Sequence, residues 1–233
     1  MNDMSIKIRD LSFQYRQIPI FQKLNVEFDP GQVNYLIGYN GAGKSTLFDI
    51  LSNLRTDYSG SIQGLPSIDE ILYQTQNPVV FGTLTGKDLQ NFVFGIANTH
   101  EPVILEKLSP HFRDLYMKLM KQKVGEMSVG ERRWLLLFLE SKLDKKLFLL
   151  DEPFSGVDPV SKIQIEEIIS DLAKKENTYV IVTTHELDYL IGGKCFIHLL
   201  NDGKIQSFDS YEEFIKNSDH HDPEEAFAKL VKM

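Results

Sequence analysis

A chain of 233 residues in which 42% of side chains are hydrophobic and 25% charged is long enough for one domain or two small ones, and too rich in core-forming residues for wholesale disorder. Its 33 acidic residues outnumber 25 basic ones, and the net charge of −8 disfavours indiscriminate binding to nucleic acid or anionic lipid, while a single cysteine, Cys195, excludes an intramolecular disulfide. The longest apolar runs, Leu135–Leu139 and Leu147–Leu150, fall far short of the roughly 20 residues that cross a bilayer, and Met1–Lys7 lacks the apolar stretch of a secretory signal, so the mature chain is expected to start near Met1.

Along the chain, short β-rich runs alternate with helical patterns, which predicts an α/β sheet with crossover helices. Ile6, Ile8, Leu11, Phe13 and Tyr15 read as an early strand and Val26–Phe28 as a second, before Asp29-Pro30-Gly31 breaks the chain. Val33–Ile37 is a buried-type strand that runs into a glycine loop, after which Leu47, Ile50, Leu51 and Leu54 recur at helical spacing. From about Thr85 to Lys123 the pattern turns helical, with Leu105, Leu108, Phe112, Leu115, Met117 and Leu119 as its apolar positions. A helix through Trp134 and Leu143, a strand at Leu147–Leu150, a helix through Ile163–Leu172 and a strand at Tyr179–Val182 follow. Cys195–Leu200 and Lys204–Ser207 form an expected hairpin through Asn201-Asp202-Gly203, and two short helices close the chain.

The loop Gly38-Tyr39-Asn40-Gly41-Ala42-Gly43-Lys44-Ser45-Thr46 fits G-x-x-x-x-G-K-[ST] and lies between strand and helix. Phosphate binding needs these residue types at this spacing. Glycines let backbone N–H groups turn toward phosphate oxygens, the helix adds its positive N-terminal end, Lys44 reaches the β- and γ-phosphates, and the Ser45 hydroxyl takes a place on Mg²⁺. Leu147–Leu150 ends in two adjacent carboxylates: Asp151 is expected to bind Mg²⁺ or its water, and Glu152 to polarise the water that attacks the γ-phosphate. The carboxyl ends of parallel strands are where such groups meet a ligand. The pair His220-His221 sits in a polar tail and reads as a solvated turn rather than a metal site.

From Ile6 to Asn217 the chain resembles the ATP-binding subunits of ABC transporters. Gly38–Thr46 match the Walker A loop, and Leu147–Asp151 with Glu152 match Walker B and its catalytic glutamate. Tyr15 resembles the aromatic residue on which adenine stacks. Gln76, before Asn77-Pro78 and Leu84-Thr85, resembles the Q-loop glutamine that touches Mg²⁺ and the attacking water; Gln74 is a rival two residues away, and the register to Leu84-Thr85 favours Gln76. Ser155-Gly156-Val157-Asp158 resembles the D-loop, and His185 after Thr183-Thr184 the switch histidine at the γ-phosphate. The resemblance implies a P-loop NTPase core with a mainly parallel sheet, an N-terminal antiparallel β-subdomain and an inserted helical subdomain at about 85–135, all within a single ATP-binding domain over 1–233.

One motif departs from the family pattern. Where the family usually shows Leu-Ser-Gly-Gly-Gln, this chain has Met127-Ser128-Val129-Gly130-Glu131, so that Ser128 and Gly130 survive. In the family this motif covers the γ-phosphate held by the opposite subunit, so Val129 adds bulk and Glu131 a carboxylate close to an anionic nucleotide. Slower or weaker closure is expected. The resemblance implies an ATP hydrolase that dimerises around Mg²⁺-ATP, with itself or with a second ATP-binding subunit, and drives a separate membrane permease from the cytoplasmic face of the membrane, with no role for nucleic acid. The permease is expected to dock near the Q-loop and the helical insertion. Because the chain ends soon after Tyr211–Asn217, a compact exporter or immunity-type cassette is favoured over importers with long C-terminal extensions. A soluble non-transport ABC ATPase, for example of the iron–sulfur cluster assembly type, shares the same catalytic motifs and stays open as the alternative; a regulatory module with little turnover is a third reading.

Overall fold

The computed structural model describes residues 5–97, 103, 108–190, 194–216, 218 and 222–231. The expectations placed on Leu105, Asn217 and His220-His221 lie outside the described residues. In chain order the elements are β1 (Ile6–Tyr15), β2 (Ile18–Phe28), β3 (Val33–Ile37), α1 (Lys44–Leu51), β4 (Ser59–Gln63), β5 (Ile71–Gln74), α2 (Gly86–Ile96), α3 (Pro110–Leu119) and α4 (Val129–Glu140). Then come β6 (Leu147–Asp151), α5 (Pro159–Ala173), β7 (Tyr179–Thr184), β8 (Cys195–Asn201), β9 (Lys204–Phe208), α6 (Tyr211–Ile215) and α7 (Pro223–Val231). They divide into two units, one from Met1–Gln76, Lys145–Pro153 and Ala173–Met233, the other from Asn77–Asp144 and Phe154–Leu172.

The first unit holds both sheets. An antiparallel sheet has the order β2-β1-β4, and a six-stranded sheet the order β5-β6-β7-β3-β8-β9, parallel except for β9. This is the mainly parallel α/β fold with an antiparallel N-terminal sheet that the sequence implies. Strand β3 is buried throughout between β7 and β8, as its unbroken apolar run requires. Its end is level with that of β7, where Ile37 pairs with Thr184, and β6 ends beside β7, where Asp151 pairs with Thr183. Three strand ends therefore deliver Gly38, Asp151 and Thr183 to one edge. Below it, Phe28, Phe48, Leu51 and Leu149 belong to one buried cluster that joins the antiparallel sheet, α1 and β6.

Strand β2 is longer than the expected Val26–Phe28. Its buried residues step from Phe21 to Leu24 before resuming alternation at Val26 and Phe28, because Lys23 takes a left-handed φ of 53° and inserts a residue. Strand β1 makes the same step at Asp10, φ 51°, so Ile8 meets Val26 and Leu11 meets Leu24 with their inward faces in phase. Such bulges erase the period of two over the very residues that would announce the strand. Strand β4, Ser59-Gly60-Ser61-Ile62-Gln63, is a polar edge with almost nothing buried. Helix α1 stops at Leu51 with Ser52 as its cap, leaving Leu54 outside it and 72% exposed. Likewise α4 ends at Glu140, and Leu143 is buried beyond its end.

The second unit carries α2, α3 and α4 with most of α5. In α3, Tyr116 and Leu119 are the buried residues and Met117 faces solvent, so the stripe runs through Tyr116 rather than Met117. Trp134 of α4, 1% exposed, stacks between Phe112 and Phe138 with ring centroids 5.7 and 5.0 Å away.

Candidate active site

The glycine loop leaves β3 at Gly38 and enters α1 at Lys44. Gly43 caps α1 with φ 109°, and a Cβ there would stand 2.8 Å from Ile20 and 3.0 Å from the Phe21 ring, so only glycine fits both the backbone and the space. Gly43 makes no side-chain cap bond, whereas α2, α3, α4, α5, α6 and α7 have N–H groups bonded by Thr85, Ser109, Ser128, Asp158, Ser210 and Asp222. Among the described residues, α1 is the helix whose first turn has no side-chain acceptor, the arrangement an anionic ligand completes.

Within the loop, the Tyr39 carbonyl accepts from Ala42 N–H at 3.1 Å and from Lys44 Nζ at 3.2 Å, and Lys44 Nζ also donates to Gly38 O at 2.8 Å. Burial pulls the Lys44 ammonium below its usual range, and the charges of Glu152 and Asp151 oppose that pull. Asn40 and Gly41 are exposed at the tip, Ala42 and Thr46 are half-buried.

Beside the loop, Ser45 Oγ donates to Asp151 Oδ2 at 2.7 Å, and Thr183 Oγ1 donates to Asp151 Oδ1 at 2.5 Å. The same Thr183 hydroxyl accepts from the Glu152 N–H at 2.8 Å. Glu152 itself takes a left-handed φ of 49°, a conformation that costs a non-glycine residue about 1–3 kcal/mol and is held here by that bond. Its carboxylate is 8% exposed as a residue and receives two groups on one oxygen: Gln76 Nε2 donates to Oε2 at 3.2 Å, and His185 Nδ1 lies 2.9 Å from the same atom. Gln74, the rival to Gln76, is buried at the end of β5.

Tyr15 ends β1 and is exposed, with its ring edge-to-face on Phe13 at 4.9 Å. The Arg55 guanidinium covers one side of it, 4.6 Å from the ring centre. The first unit thus gathers Lys44, Ser45, Gln76, Asp151, Glu152 and His185. Thr183 was visible in the sequence only as a neighbour of His185; its role becomes clear once β6 and β7 are paired, because only parallel register puts it opposite Asp151.

Ser128, Gly130 and Glu131 stand in the second unit, at the start of α4. Ser128 Oγ accepts from Glu131 N–H at 3.1 Å, and Glu131 Oε2 accepts from Ser128 N–H at 2.8 Å, a reciprocal capping box. The other Glu131 oxygen pairs with Lys118 Nζ at 2.6 Å. Partial burial raises the Glu131 carboxyl, but the bonds from Lys118 and Ser128 outweigh it and hold the group below the usual carboxylate range. The carboxylate is thus compensated from within its own unit. Val129 is 42% exposed. A Cβ on Gly130 would lie 2.5 Å from Ser161 Oγ and 2.7 Å from Asp158 Oδ2, two atoms already bonded to each other at 2.7 Å, so this glycine lets α4 approach the first turn of α5.

A Mg²⁺ ion requires hard oxygen donors, and Ser45 Oγ with the Asp151 carboxylate supply them. The uncapped start of α1 and Lys44 fit the phosphates of a nucleotide in the same way.

The sequence profile of the ABC transporter family matches residues 21–155. Protein McbF of Escherichia coli is 28% identical over 221 residues, covering 91% of this chain and 89% of McbF. The energy-coupling factor transporter ATP-binding protein EcfA1 of Thermotoga maritima is 30% identical over 223 residues, 91% of this chain and 85% of its own length. A solved structure of an ATP-binding subunit of an ABC transporter superposes with a TM-score of 0.78 at 20% identity, covering 97% of this chain and 98% of that one, which establishes the shared fold.

Proposed function

The chain belongs to the ABC transporter family as an ATP-binding, ATP-hydrolysing subunit, and from that premise we propose that it forms one half of a clamp that closes around Mg²⁺-ATP and moves a separate membrane permease. The observation that carries this reading is the convergence of Gln76 and His185 on Glu152 Oε2, beside the Ser45–Asp151 pair. Residues distant in sequence meet on one carboxylate oxygen.

In this reading Lys44 and the first turn of α1 hold the phosphates of ATP, and Tyr15 carries the adenine on its ring. Ser45, Asp151 and Gln76 would hold Mg²⁺, and the ion would offset charge on the phosphate oxygens. The Glu152 carboxylate orients a water and accepts its proton as the water oxygen bonds to the γ-phosphorus; the bond to the bridging oxygen breaks, giving ADP and phosphate. Gln76 and His185 fix the carboxylate's orientation through Oε2, and Thr183 fixes the backbone beneath it.

Ser128 and Gly130 present the start of α4 to the nucleotide of a second ATP-binding subunit, the same chain or a homologous one. Among the described residues no helix is long and apolar enough to cross a membrane. In this reading the transport path belongs to the permease, and this subunit works peripherally at the cytoplasmic face. Exposed apolar side chains suit that docking: Val79 and Phe81 are 92% and 67% exposed, and Phe92 and Ile96, one turn apart on α2, are 54% and 72% exposed.

The test is Glu152→Gln, which keeps the side chain's shape and removes its basicity. Hydrolysis is expected to fall by about 10²–10⁴-fold, and light scattering is expected to show an ATP-dependent dimer. Turnover close to wild type would remove Glu152 from the role of base. A trapped, ATP-loaded protein that never associates with a second subunit would remove the clamp.

A further inference from the structure

The C-terminal helix reaches the phosphate-binding loop. Helix α7 is anchored in the first unit by Ala226 and Leu230, both buried, and by Asn201 Nδ2, which donates to the Val231 carbonyl at 3.4 Å. From this anchored helix the Phe227 ring meets the Tyr39 ring edge-to-face, with centroids 5.0 Å apart and planes at 78°. Tyr39 is the second residue of the loop and is otherwise exposed, at 53%.

The backbone of Tyr39 is where the loop closes on itself, since its carbonyl takes both the Ala42 N–H and the Lys44 ammonium. A ring held by α7 therefore fixes the peptide that shapes the turn. The same helix packs on the turn Leu187–Leu190 that follows His185. One C-terminal element thus touches the segments that carry Lys44 and His185.

We propose that Phe227 is a positioning residue: through Tyr39, helix α7 clasps the phosphate-binding loop in its ligand-ready shape and so sets the affinity for the phosphates of a nucleoside triphosphate. The inference rests on the reading of Gly38–Thr46 as the phosphate-binding loop. A loop ordered in advance loses less conformational freedom on binding, so removing the clasp weakens binding.

The test measures Mg²⁺-ATP dissociation constants by calorimetry on the full chain. The variants are Phe227→Leu, which keeps apolar bulk on α7 and removes the ring, Tyr39→Ala, the two combined, and Phe227→Tyr. Loss of an aromatic pair is expected to raise Kd about three- to tenfold in either single variant. The double variant is expected to be no weaker than the worse single one, and Phe227→Tyr to retain wild-type affinity. Unchanged or tighter binding by Phe227→Leu overturns the clasp, as do two effects that simply add. A merely structural role for Phe227 would move thermal stability without this non-additivity in Kd. The underlying reading fails separately: in that case Lys44→Ala binds ATP as well as wild type. If Lys44→Ala loses binding while Phe227→Leu matches wild type, only the clasp falls.

Discussion

Replacing Thr183 with Val tests the geometry beneath the Glu152 carboxylate with almost no change in volume. The Thr183 side chain lies in a residue with no exposed surface, donates to Asp151 Oδ1 at 2.5 Å and accepts from the Glu152 N–H at 2.8 Å. Valine leaves that N–H buried without its acceptor, which costs about 1–3 kcal/mol, and takes from Asp151 a hydrogen bond to a charged group worth about 1.5–3 kcal/mol. Ser45 still serves the other Asp151 oxygen, so the lower half of the combined range is expected, about 3 kcal/mol. For a domain of this size that corresponds to a fall in Tm of roughly 6–12 °C. Glu152 is also released from the bond that holds its left-handed φ of 49°, so its carboxylate drifts and hydrolysis at saturating ATP falls by roughly 10- to 100-fold. Thr183→Ser keeps the hydroxyl and is expected to lose only about 1 kcal/mol for the buried methyl group. Thermal unfolding and single-turnover hydrolysis of both variants decide the matter. The reasoning is refuted if Thr183→Val unfolds within about 0.5 kcal/mol of wild type at unaltered turnover, or if Thr183→Ser is equally damaged.

Lys118→Ala is expected to weaken ATP-driven dimerisation by up to about fivefold, the most an exposed ion pair supports, and the loss should vanish in a Glu131→Gln background; equal losses in both backgrounds would show that Lys118 does not act by compensating Glu131. Burial pushes the His198 imidazole down to about 3, so the folded state refuses a proton that the unfolded chain accepts at about 6.5. Stability from this residue is therefore fully present above pH 6.5 and lost as pH falls toward 3, about 2 kcal/mol of it by pH 5; urea unfolding at pH 7 and pH 5 should show a smaller difference for His198→Gln than for wild type, and equal differences would contradict the assignment.

The sequence carried most of what makes the sheet and the phosphate loop, because both depend on local patterns. Val33–Ile37 and Leu147–Leu150 are unbroken apolar runs, and a strand with both faces covered can hardly be written otherwise. The same logic hid β2 and β4. The bulge at Lys23 breaks the alternation of β2, and β4 earns its place by main-chain pairing with β1 rather than by side chains of its own. For the site, motif spacing named Lys44, Ser45, Asp151 and Glu152, the family resemblance added Gln76 and His185, and the fold brings all six into one unit. Thr183, Arg55 and Lys118 escaped because each acts through a partner distant in sequence. Thr183 meets Asp151 only through strand register, Arg55 meets Tyr15 across 40 positions of chain, and Lys118 meets Glu131 only once α3 lies against α4.

The segment Met127–Glu131 shows why a departure from a family motif has to be weighed with its neighbours. The Glu131 carboxylate completes a capping box on Ser128, but a glutamine carbonyl would accept the same N–H, so capping alone does not explain the charge. What the charge adds is the bond to Lys118, which ties α3 to the first turn of α4 and pairs the carboxylate within its own unit. Gly130 has no such latitude, since Asp158 and Ser161 occupy the space a side chain would need and are themselves committed to starting α5. Val129, at the first position of α4, is clear of that packing and exposed. Of the two departures, the charged one is absorbed within the unit. In the proposed clamp, weaker closure over the nucleotide therefore falls on the added bulk of Val129.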